Sequence, residues 1–324
     1  MLIYVVFLLF VFSLLALDLG VFHKSQKEVS MKESLAWTAV WVSLALLFGT
    51  VVYWMYDTNF LNVNPINPET HAVTAPGKAM IDFYTGYLIE ESLSLDNIFV
   101  MALIFAFFRI KLAFQHNILF WGILGAVVFR LIMIVLGTAF VEQFHWAMYV
   151  FGVILLYSAF KMLKESDEES DFKKSIGVRL LSKIIPIDWD NQSGAYIVRK
   201  DGKRVATIIL ACLVVIEFTD IVFAVDSIPA IFAVTKDPFI VFTSNIFAIL
   251  GLRSLYFFLS GMLHRFEYLK YSLVFVLAFI GLKMILGDWE VVHNMPSWVS
   301  LMIIGVALAT GLLVSLSKTA EKKQ

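Results

Sequence analysis

The sequence contains few cysteines, few charges and no nucleotide-binding motif, and each shortage excludes a class of protein. Its single cysteine, Cys212, can form no internal disulfide and no cysteine cluster for a metal, so we interpret it as a small packing residue. Charged residues make up 16% of the chain and the formal net charge is −1, which provides no basic surface for nucleic acid. The pattern G-x-x-x-x-G-K-[ST] is absent, so ATP hydrolysis by this chain is not expected. No prosthetic group is predicted.

Apolar sequence is abundant instead, since 60% of the residues are hydrophobic, against roughly 45–50% in soluble domains. Nine stretches are long enough for a helix to cross a hydrocarbon core, which takes about 20 residues. They are 1–22, 34–56, 80–108, 117–139, 145–163, 205–232, 239–260, 269–287 and 297–317. Their all-round hydrophobicity predicts an all-α polytopic membrane protein rather than a barrel, whose strands would alternate. The first stretch follows no basic segment and shows no cleavage pattern, so it is predicted to remain as a span.

The basic residues predict how these spans are oriented. With the N-terminus outside, 19 of the 25 lysines and arginines fall in inside segments, two fall outside and four lie within spans. Lysine and arginine accumulate on the cytoplasmic side of membrane proteins, so the sequence predicts an N-out, C-in topology.

The same order of charged residues occurs twice within the apolar core. Each copy has two acids six residues apart, an arginine in the next span and a lysine in the span after that. The first copy is Glu90, Asp96, Arg130 and Lys161, and the second copy is Asp220, Asp226, Arg253 and Lys283. Because each copy covers three spans, an odd number, the second must be inverted relative to the first. Such 3 + 3 inverted repeats are typical of transporters, which bind substrate where the repeats meet.

The spans and the repeat divide the chain into five segments. They are two accessory transmembrane helices (1–56), the first three-helix repeat (80–163), a cytoplasmic connector (164–204), the inverted second repeat (205–287), and the last transmembrane helix with a cytoplasmic tail (297–324). In the connector, Asp201-Gly202 lies between two short runs, which predicts a small hairpin with a type I′ turn.

Carboxylates inside the repeat spans are the candidate site residues. A carboxylate near the bilayer centre costs about 2.5–3.5 kcal/mol, so these side chains are expected to face the protein interior, paired or hydrated. Secondary candidates along the same path are Asp18, Glu91, Ser94, Asn97, Thr219, Ser227 and Asn245. One interpretation is that the acids and the intramembrane bases form structural ion pairs only. Two sets at matching spacing favour a functional site, because a buried ion pair adds little stability.

Helix geometry limits how the paired acids can act. Positions six apart on a straight helix differ by about 120° and roughly 9 Å, so Glu90 and Asp96 cannot both hold one small ion. A break in the helix would bring them together, and so would convergence of the two repeats across a pseudo-two-fold axis. Residues 94–97 and the pair Asp226-Ser227 provide good N-cap side chains, and Pro229 suits an early helical position, so the sequence predicts a break in both spans.

The candidate ligands carry oxygen, which selects hard cations. Mg²⁺, Ca²⁺ and Mn²⁺ bind such sites, whereas zinc and copper favour cysteine or histidine. The six histidines fall at span ends or in loops, so we interpret them as interfacial residues. The predicted metal-site acids are Glu90, Asp96, Asp220 and Asp226, and the predicted charge partners in the empty state are Arg130, Lys161, Arg253 and Lys283.

Three stretches resemble the TerC family, and within it the Alx-like branch: GYLIEESLSLDNIFV (86–100), IEFTDIVFAVDSIPAIFAVTKDPFIVFTSNIFAILGLRSLYF (216–257) and FIGLKMILGD (279–288). The resemblance implies a multi-pass protein of the bacterial inner membrane, related to LysE-type exporters and acting in Mn²⁺ efflux. It also implies links to manganese homeostasis, alkaline pH response, tellurium resistance and metallation of exported proteins. By the same resemblance, Glu217 joins the metal pathway, and Mn²⁺ is chosen over Ca²⁺ and Mg²⁺.

The leading hypothesis is alternating access about this site, with Mn²⁺ as the transported substrate and proton uptake as the coupled movement. The alternative is a non-transporting scaffold that delivers metal to exported proteins, contacts the export machinery or joins a tellurite stress-resistance complex. A membrane metalloenzyme is disfavoured because no HExxH helix or catalytic Ser/His arrangement is present, so no catalytic residue is predicted. An anion carrier using Arg130 and Arg253 is disfavoured because acids outnumber bases in the repeat cores.

Overall fold

The computed structural model describes residues 2–20, 31–64, 73–144, 146–164, 172–191, 193–260, 269–293 and 295–321. Most of this length is helical, because long apolar runs with few helix breakers satisfy their backbone hydrogen bonds within one segment. The α-helices are α1 (Leu2–Gly20), α2 (Met31–Asp57), α3 (Pro76–Phe107), α4 (Leu112–Gln143), α5 (Ala147–Lys164), α6 (Ile176–Ile184), α7 (Ile208–Phe232), α8 (Pro238–Ser260), α9 (Leu269–Ile285), α10 (Glu290–His293) and α11 (Ser297–Glu321), and short 3₁₀ helices cover Phe60–Asn62 and Phe172–Lys174.

The hairpin predicted in the connector is present. Strand β2 (Ile197–Lys200) pairs antiparallel with β3 (Lys203–Thr207), and β1 (Ile187–Asp188) joins the other edge of β3 in parallel. The turn residues Asp201 and Gly202 have φ angles of 53° and 77°, the positive values that a type I′ turn requires. Strand β1 was not predicted, because two residues are too few to show a strand pattern.

All nine predicted spans coincide with helices, and their ends differ from the helix ends by at most five residues. By length and apolar content alone, six of the described helices can cross a membrane, namely α2, α4, α5, α7, α8 and α11. Two other apolar helices are too short to be counted among these six. Helix α9 has 17 residues, and the described apolar part of α1 is Leu2–Ala16. Helix α3 is 32 residues long but carries many charged side chains, which include the candidate site residues.

Helices of the first predicted repeat pack mainly on helices of the second. Helix α3 packs along α8, α4 along α7, and α5 along α9. Helix α3 also contacts α7, and α4 contacts α8, so these four central helices share one interior. Around them, α2 packs on α3 and α8, and α11 packs on α3 and α9.

Glycines allow close approach at several of these helix contacts. A Cβ atom added at Gly152 on α5 would lie 2.9 Å from the carbonyl oxygen of Gly281 on α9, and the reverse contact is also 2.9 Å. A Cβ atom added at Gly86 on α3 would lie 2.7 Å from Ser244 Oγ on α8. Small residues at such crossings bring two backbones together and increase their van der Waals contact.

The predicted break within the two acid-bearing spans is wrong. Helix α3 continues without interruption from Pro76 to Phe107, and α7 continues from Ile208 to Phe232 with Pro229 inside it. Two of the supposed capping side chains bond to other helices instead: Ser227 Oγ accepts from Arg130 and Asp226 accepts from Ser158. These side chains therefore join neighbouring helices and do not cap the end of a broken helix.

Candidate functional site

One buried arginine gathers polar side chains from the four central helices. Arg130 on α4 donates from Nη1 to the Glu90 carboxylate on α3 and to Asn245 Oδ1 on α8, the latter at 2.8 Å. From Nη2 it donates to Asp220 Oδ1 on α7 at 3.3 Å. Ser227 Oγ, also on α7, lies 3.4 Å from Nη1. We call these five residues the Arg130 cluster.

The Arg130 cluster is closed to solvent and carries an excess of negative charge. Arg130, Glu90 and Asn245 are 0% exposed, and Asp220 is 5% exposed. Two carboxylates face a single guanidinium, and Glu90 Oε2 and Asp220 Oδ2 accept no hydrogen bond from any described residue. A buried charge is unfavourable unless it is fully paired. Positive charge beyond that of Arg130 would therefore be attracted to this position.

Two central helices present their acids near their midpoints. Glu90 is the fifteenth of the 32 residues of α3, and Asp220 is the thirteenth of the 25 residues of α7. On α8, Asn245 Nδ2 donates to the Val241 carbonyl at 2.9 Å, which directs Oδ1 toward the arginine. The cluster therefore lies about midway along the bundle.

The cluster joins the first acid of each repeated pattern. Glu90 begins the first copy and Asp220 begins the second, and both contact the same guanidinium. This arrangement corresponds to convergence of two helices from different halves of the chain, the alternative to a break within one helix.

Three further candidates lie beside the cluster. Glu217 lies about one turn before Asp220 on α7, and its carboxylate fills the space that a side chain at Gly125 on α4 would occupy. Glu91 is half-buried next to the cluster, and Ser94 is fully buried one turn further along α3. Each has an oxygen atom without a hydrogen-bond partner in the described part of the chain. The excess of acceptor oxygens therefore extends along α3 and α7.

The second acid of each repeated pair lies outside the cluster. Asp226 accepts a hydrogen bond from Ser158 Oγ on α5 at 2.8 Å, and Lys161 adds a favourable Coulombic interaction. Asp96 is half-buried on α3, less than two turns beyond Glu90. The five predicted metal-pathway acids are thus spread along the bundle. Among the described residues, no three Asp, Glu, His or Cys side chains form a group that could hold a metal ion.

The four predicted charge partners have different surroundings. Arg130 is central, and Arg253 on α8 is 3% exposed. Lys161 lies in the last turn of α5 and is exposed, whereas Lys283 in the last turn of α9 donates to Ser300 Oγ on α11 at 2.9 Å. In this conformation the structure brings Arg130, and not Lys283, to the central acids.

The secondary candidates also divide. Ser227 and Asn245 belong to the Arg130 cluster. Asn97 is buried on α3 with 2% exposure, and Thr219 donates to a carbonyl of its own helix. The side chain of Asp18 lies outside the described residues.

Two residues that contact the predicted acids were not predicted from the sequence. Ser158 donates to Asp226, and Gly125 leaves room for Glu217. Serine and glycine are common in transmembrane helices, so neither carries a signal of its own. Their contribution follows only from which helix faces them.

Apolar helices long enough to cross a membrane, packed around buried charges, define an integral membrane protein. The sequence profile of the "Integral membrane protein TerC family" matches residues 75–323. The chain belongs to the TerC family.

Relatives of this chain align with it over nearly its whole length. An uncharacterised membrane protein of Myxococcus xanthus is 46% identical over 313 residues, which cover 97% of this chain and 91% of the relative. The Escherichia coli K12 protein that is named as a membrane-bound redox modulator, Alx, is 41% identical over 292 residues, or 90% of this chain and 87% of the relative. No solved structure matches the chain. The resemblance to the TerC family and its Alx-like branch is confirmed.

Proposed function

We propose that this protein exports a divalent metal cation, Mn²⁺, from the cytoplasm across the bacterial inner membrane. The observation that carries the proposal is the Arg130 cluster. Two carboxylates from opposite halves of the chain hold one buried cationic group midway along the central helices. Ionisable residues buried at membrane depth mark ion pathways, because their burial is otherwise costly.

In this proposal the metal and Arg130 compete for the same two carboxylates. The guanidinium supplies one positive charge between Glu90 and Asp220. A divalent cation at that position would supply two, and would neutralise both carboxylates. Asn245 Oδ1 and Ser227 Oγ would add neutral oxygen ligands, which suit Mn²⁺. The site therefore has two occupied forms, one with the guanidinium and one with the metal, and transport alternates between them.

The packing of the helices supports an inverted repeat as the basis of alternating access. In such a repeat, α3, α4 and α5 correspond to α7, α8 and α9. The α3–α8 contact then corresponds to the α7–α4 contact, and the α5–α9 contact corresponds to itself. Lys161 and Lys283 both lie in the last turns of their helices. With the N-terminus outside, those turns face opposite sides of the membrane, as inversion requires.

The remaining acids line the route to and from the cluster in this topology. Asp96 and Glu217 lie on the cytoplasmic side of the Arg130 cluster, because α3 runs inward and α7 runs outward. Asp226 lies on the outer side. Acids that release a metal ion can accept protons, so we propose that outward metal movement is coupled to proton uptake.

Metal flux into proteoliposomes that contain only this protein tests the proposal. Mn²⁺ uptake would be followed in vesicles with the cytoplasmic face outward, with and without a pH gradient. The Glu90→Gln, Asp220→Asn variant keeps the size of both side chains and removes the charges that attract a metal. We expect flux in the natural protein and at least about a hundredfold less in the variant, since a lost buried charge pair is worth several kcal/mol.

Asp188→Asn is the matched control, because Asp188 lies in strand β1 of the connector and pairs with Lys200, not with a member of the Arg130 cluster. Its flux should equal that of the natural protein, and both variants should remain folded by circular dichroism. If folded protein moves none of Mn²⁺, Ca²⁺ and Mg²⁺ under any imposed pH gradient, the carrier proposal is overturned. A soluble partner held by residues 164–204 would then favour the scaffold for metal delivery or tellurite resistance.

The name of the Alx relatives raises a redox role as a second possibility. In this chain the single thiol, Cys212, is 0% exposed within α7. One cysteine cannot close an internal disulfide, and its burial keeps the thiol from an external disulfide. We therefore propose that any redox effect of this protein follows from the metal ions it moves.

A further inference from the structure

Helix α6 exposes apolar residues along one face. Ile176, Leu180 and Ile184 are 69%, 44% and 84% exposed, although each is a large aliphatic side chain. They lie four residues apart and therefore form one stripe along the helix. Exposed apolar stripes on otherwise folded elements mark surfaces that bind a partner or a membrane.

The faces of α6 follow one another around the helix in a definite order. At 100° per residue, the buried residues Gly177 and Val178 occupy one side, and the exposed aliphatic stripe adjoins them. The exposed bases Arg179 and Lys183 lie on the other edge of that stripe, and Ser182 is farther round. The order is protein contact, apolar stripe, basic edge and polar side.

The buried side of α6 packs on a helix that crosses the membrane. A side chain at Gly177 would meet Phe218 and Val214 of α7. On α7 these two residues share a face with Val222 and Val225, which are 61% and 41% exposed. Helix α6 therefore covers the first part of a stripe of α7 whose continuation is open to lipid. Helix α6 thus packs alongside the apolar part of α7.

The charge on α6 suits an anionic surface. Besides Arg179 and Lys183, the preceding 3₁₀ helix exposes Lys173 and Lys174, while α6 itself contains no acidic residue. Helices with an aliphatic face and a basic edge lie in the plane of a membrane, with the apolar face sunk about 5–10 Å into the headgroup boundary.

We propose that α6 is an interfacial helix that docks the connector onto the lipid surface. Ile176, Leu180 and Ile184 insert between acyl chains on the connector side of the membrane. Arg179 and Lys183 bind the phosphate groups of anionic lipids. The inference does not depend on the transported substrate, because it concerns the attachment of the connector to the bilayer.

Site-directed fluorescence tests this docking. Ile184→Cys and Ser182→Cys would each be labelled with an environment-sensitive maleimide dye, and the unmodified protein, with Cys212 buried, would report background labelling. The labelled proteins would be placed in nanodiscs of phosphatidylcholine and phosphatidylglycerol containing a lipid with a spin label at carbon 5. We expect quenching at position 184 to be about twofold or more stronger than at position 182, since only the former faces lipid.

The basic edge is tested in the same nanodiscs. Replacing phosphatidylglycerol by phosphatidylcholine should weaken quenching at position 184, and Arg179→Gln, Lys183→Gln should remove that lipid dependence. Equal quenching of both positions by aqueous iodide, with none by the spin-labelled lipid, would overturn the proposal. The proposal would also be overturned if the dye at position 184 reported an aqueous environment in nanodiscs but was shielded in native membranes. That result would identify a protein as the partner of the aliphatic stripe.

Discussion

Arg130 and its acids depend on one another for their burial. The guanidinium is 0% exposed and so is Glu90, and neither could remain charged in an apolar interior alone. Asn245 and Ser227 complete the contacts without adding charge. The pairing of one base with two acids leaves a negative excess, which is the property that a cation site requires.

Removal of the Arg130 charge should reveal this excess. Arg130→Gln leaves two buried carboxylates without their counter-charge, so we expect a loss of about 3–5 kcal/mol in unfolding free energy. Reversible unfolding in detergent would measure it. Adding Glu90→Gln to that variant should recover part of the loss, because one uncompensated charge is removed. An unchanged stability of Arg130→Gln would show that the cluster is not a charge-paired unit.

The Arg130→Gln variant also distinguishes competition between metal and guanidinium from simple charge pairing. If metal and guanidinium share Glu90 and Asp220, then Mn²⁺ should raise the melting temperature of Arg130→Gln more than that of the natural protein. Binding to the folded state stabilises it in proportion to the occupancy reached. Arg130→Gln, Asp220→Asn is the control that should respond less.

At the level of elements, α5 and α9 bring backbone against backbone across the two halves of the chain. Gly152 and Gly281 face each other so closely that a Cβ atom added at either one would lie 2.9 Å from the carbonyl oxygen of the other. Neither backbone can rotate away as a side chain would. This crossing is therefore sensitive to the smallest added volume.

Gly281→Ala should force α5 and α9 apart. The added Cβ atom would lie 2.9 Å from the Gly152 carbonyl oxygen, and overpacking of this kind costs about 1–3 kcal/mol. Gly122→Ala on α4 is the matched control, since its Cβ atom would lie 3.5 Å from Ile216 Cγ2, an ordinary contact. Thermal unfolding of both variants in one detergent would compare them. Equal melting temperatures would argue against a tight crossing.

For the whole molecule, the decisive property is which loops share a side of the membrane. The connector hairpin contains Lys200, and the loop between α7 and α8 contains Lys236. Both side chains are exposed, so a label can reach them from the solvent on their own side. One membrane-spanning helix, α7, separates the two positions.

A membrane-impermeant maleimide should label Lys236→Cys, but not Lys200→Cys, in intact cells. Both should react after the membrane is opened. Cys212 is buried and should contribute little background. This result would place the connector inside and the α7–α8 loop outside, as the N-out, C-in topology requires. Equal labelling of both positions in intact cells would contradict a single crossing of the membrane by α7, and with it this topology.

The sequence by itself determined the helical membrane class, the positions of the helices and the repeated order of acid, acid, arginine and lysine. These features are readable because hydrophobic length and residue spacing are properties of one segment. The turn at Asp201-Gly202 was predictable for the same reason, since positive φ angles are a local preference. Family membership followed from the stretches around Glu90 and Asp220.

Only the tertiary structure decided that α3 and α7 stay unbroken and that Arg130 lies between Glu90 and Asp220. It also decided that Lys283 bonds to Ser300 and that α6 leaves its aliphatic stripe open. Each depends on which face of one helix meets another, and residues far apart in the chain set that choice. The hydrogen-bond partner of a buried polar side chain lies on the facing helix, so residue spacing within one segment cannot identify it.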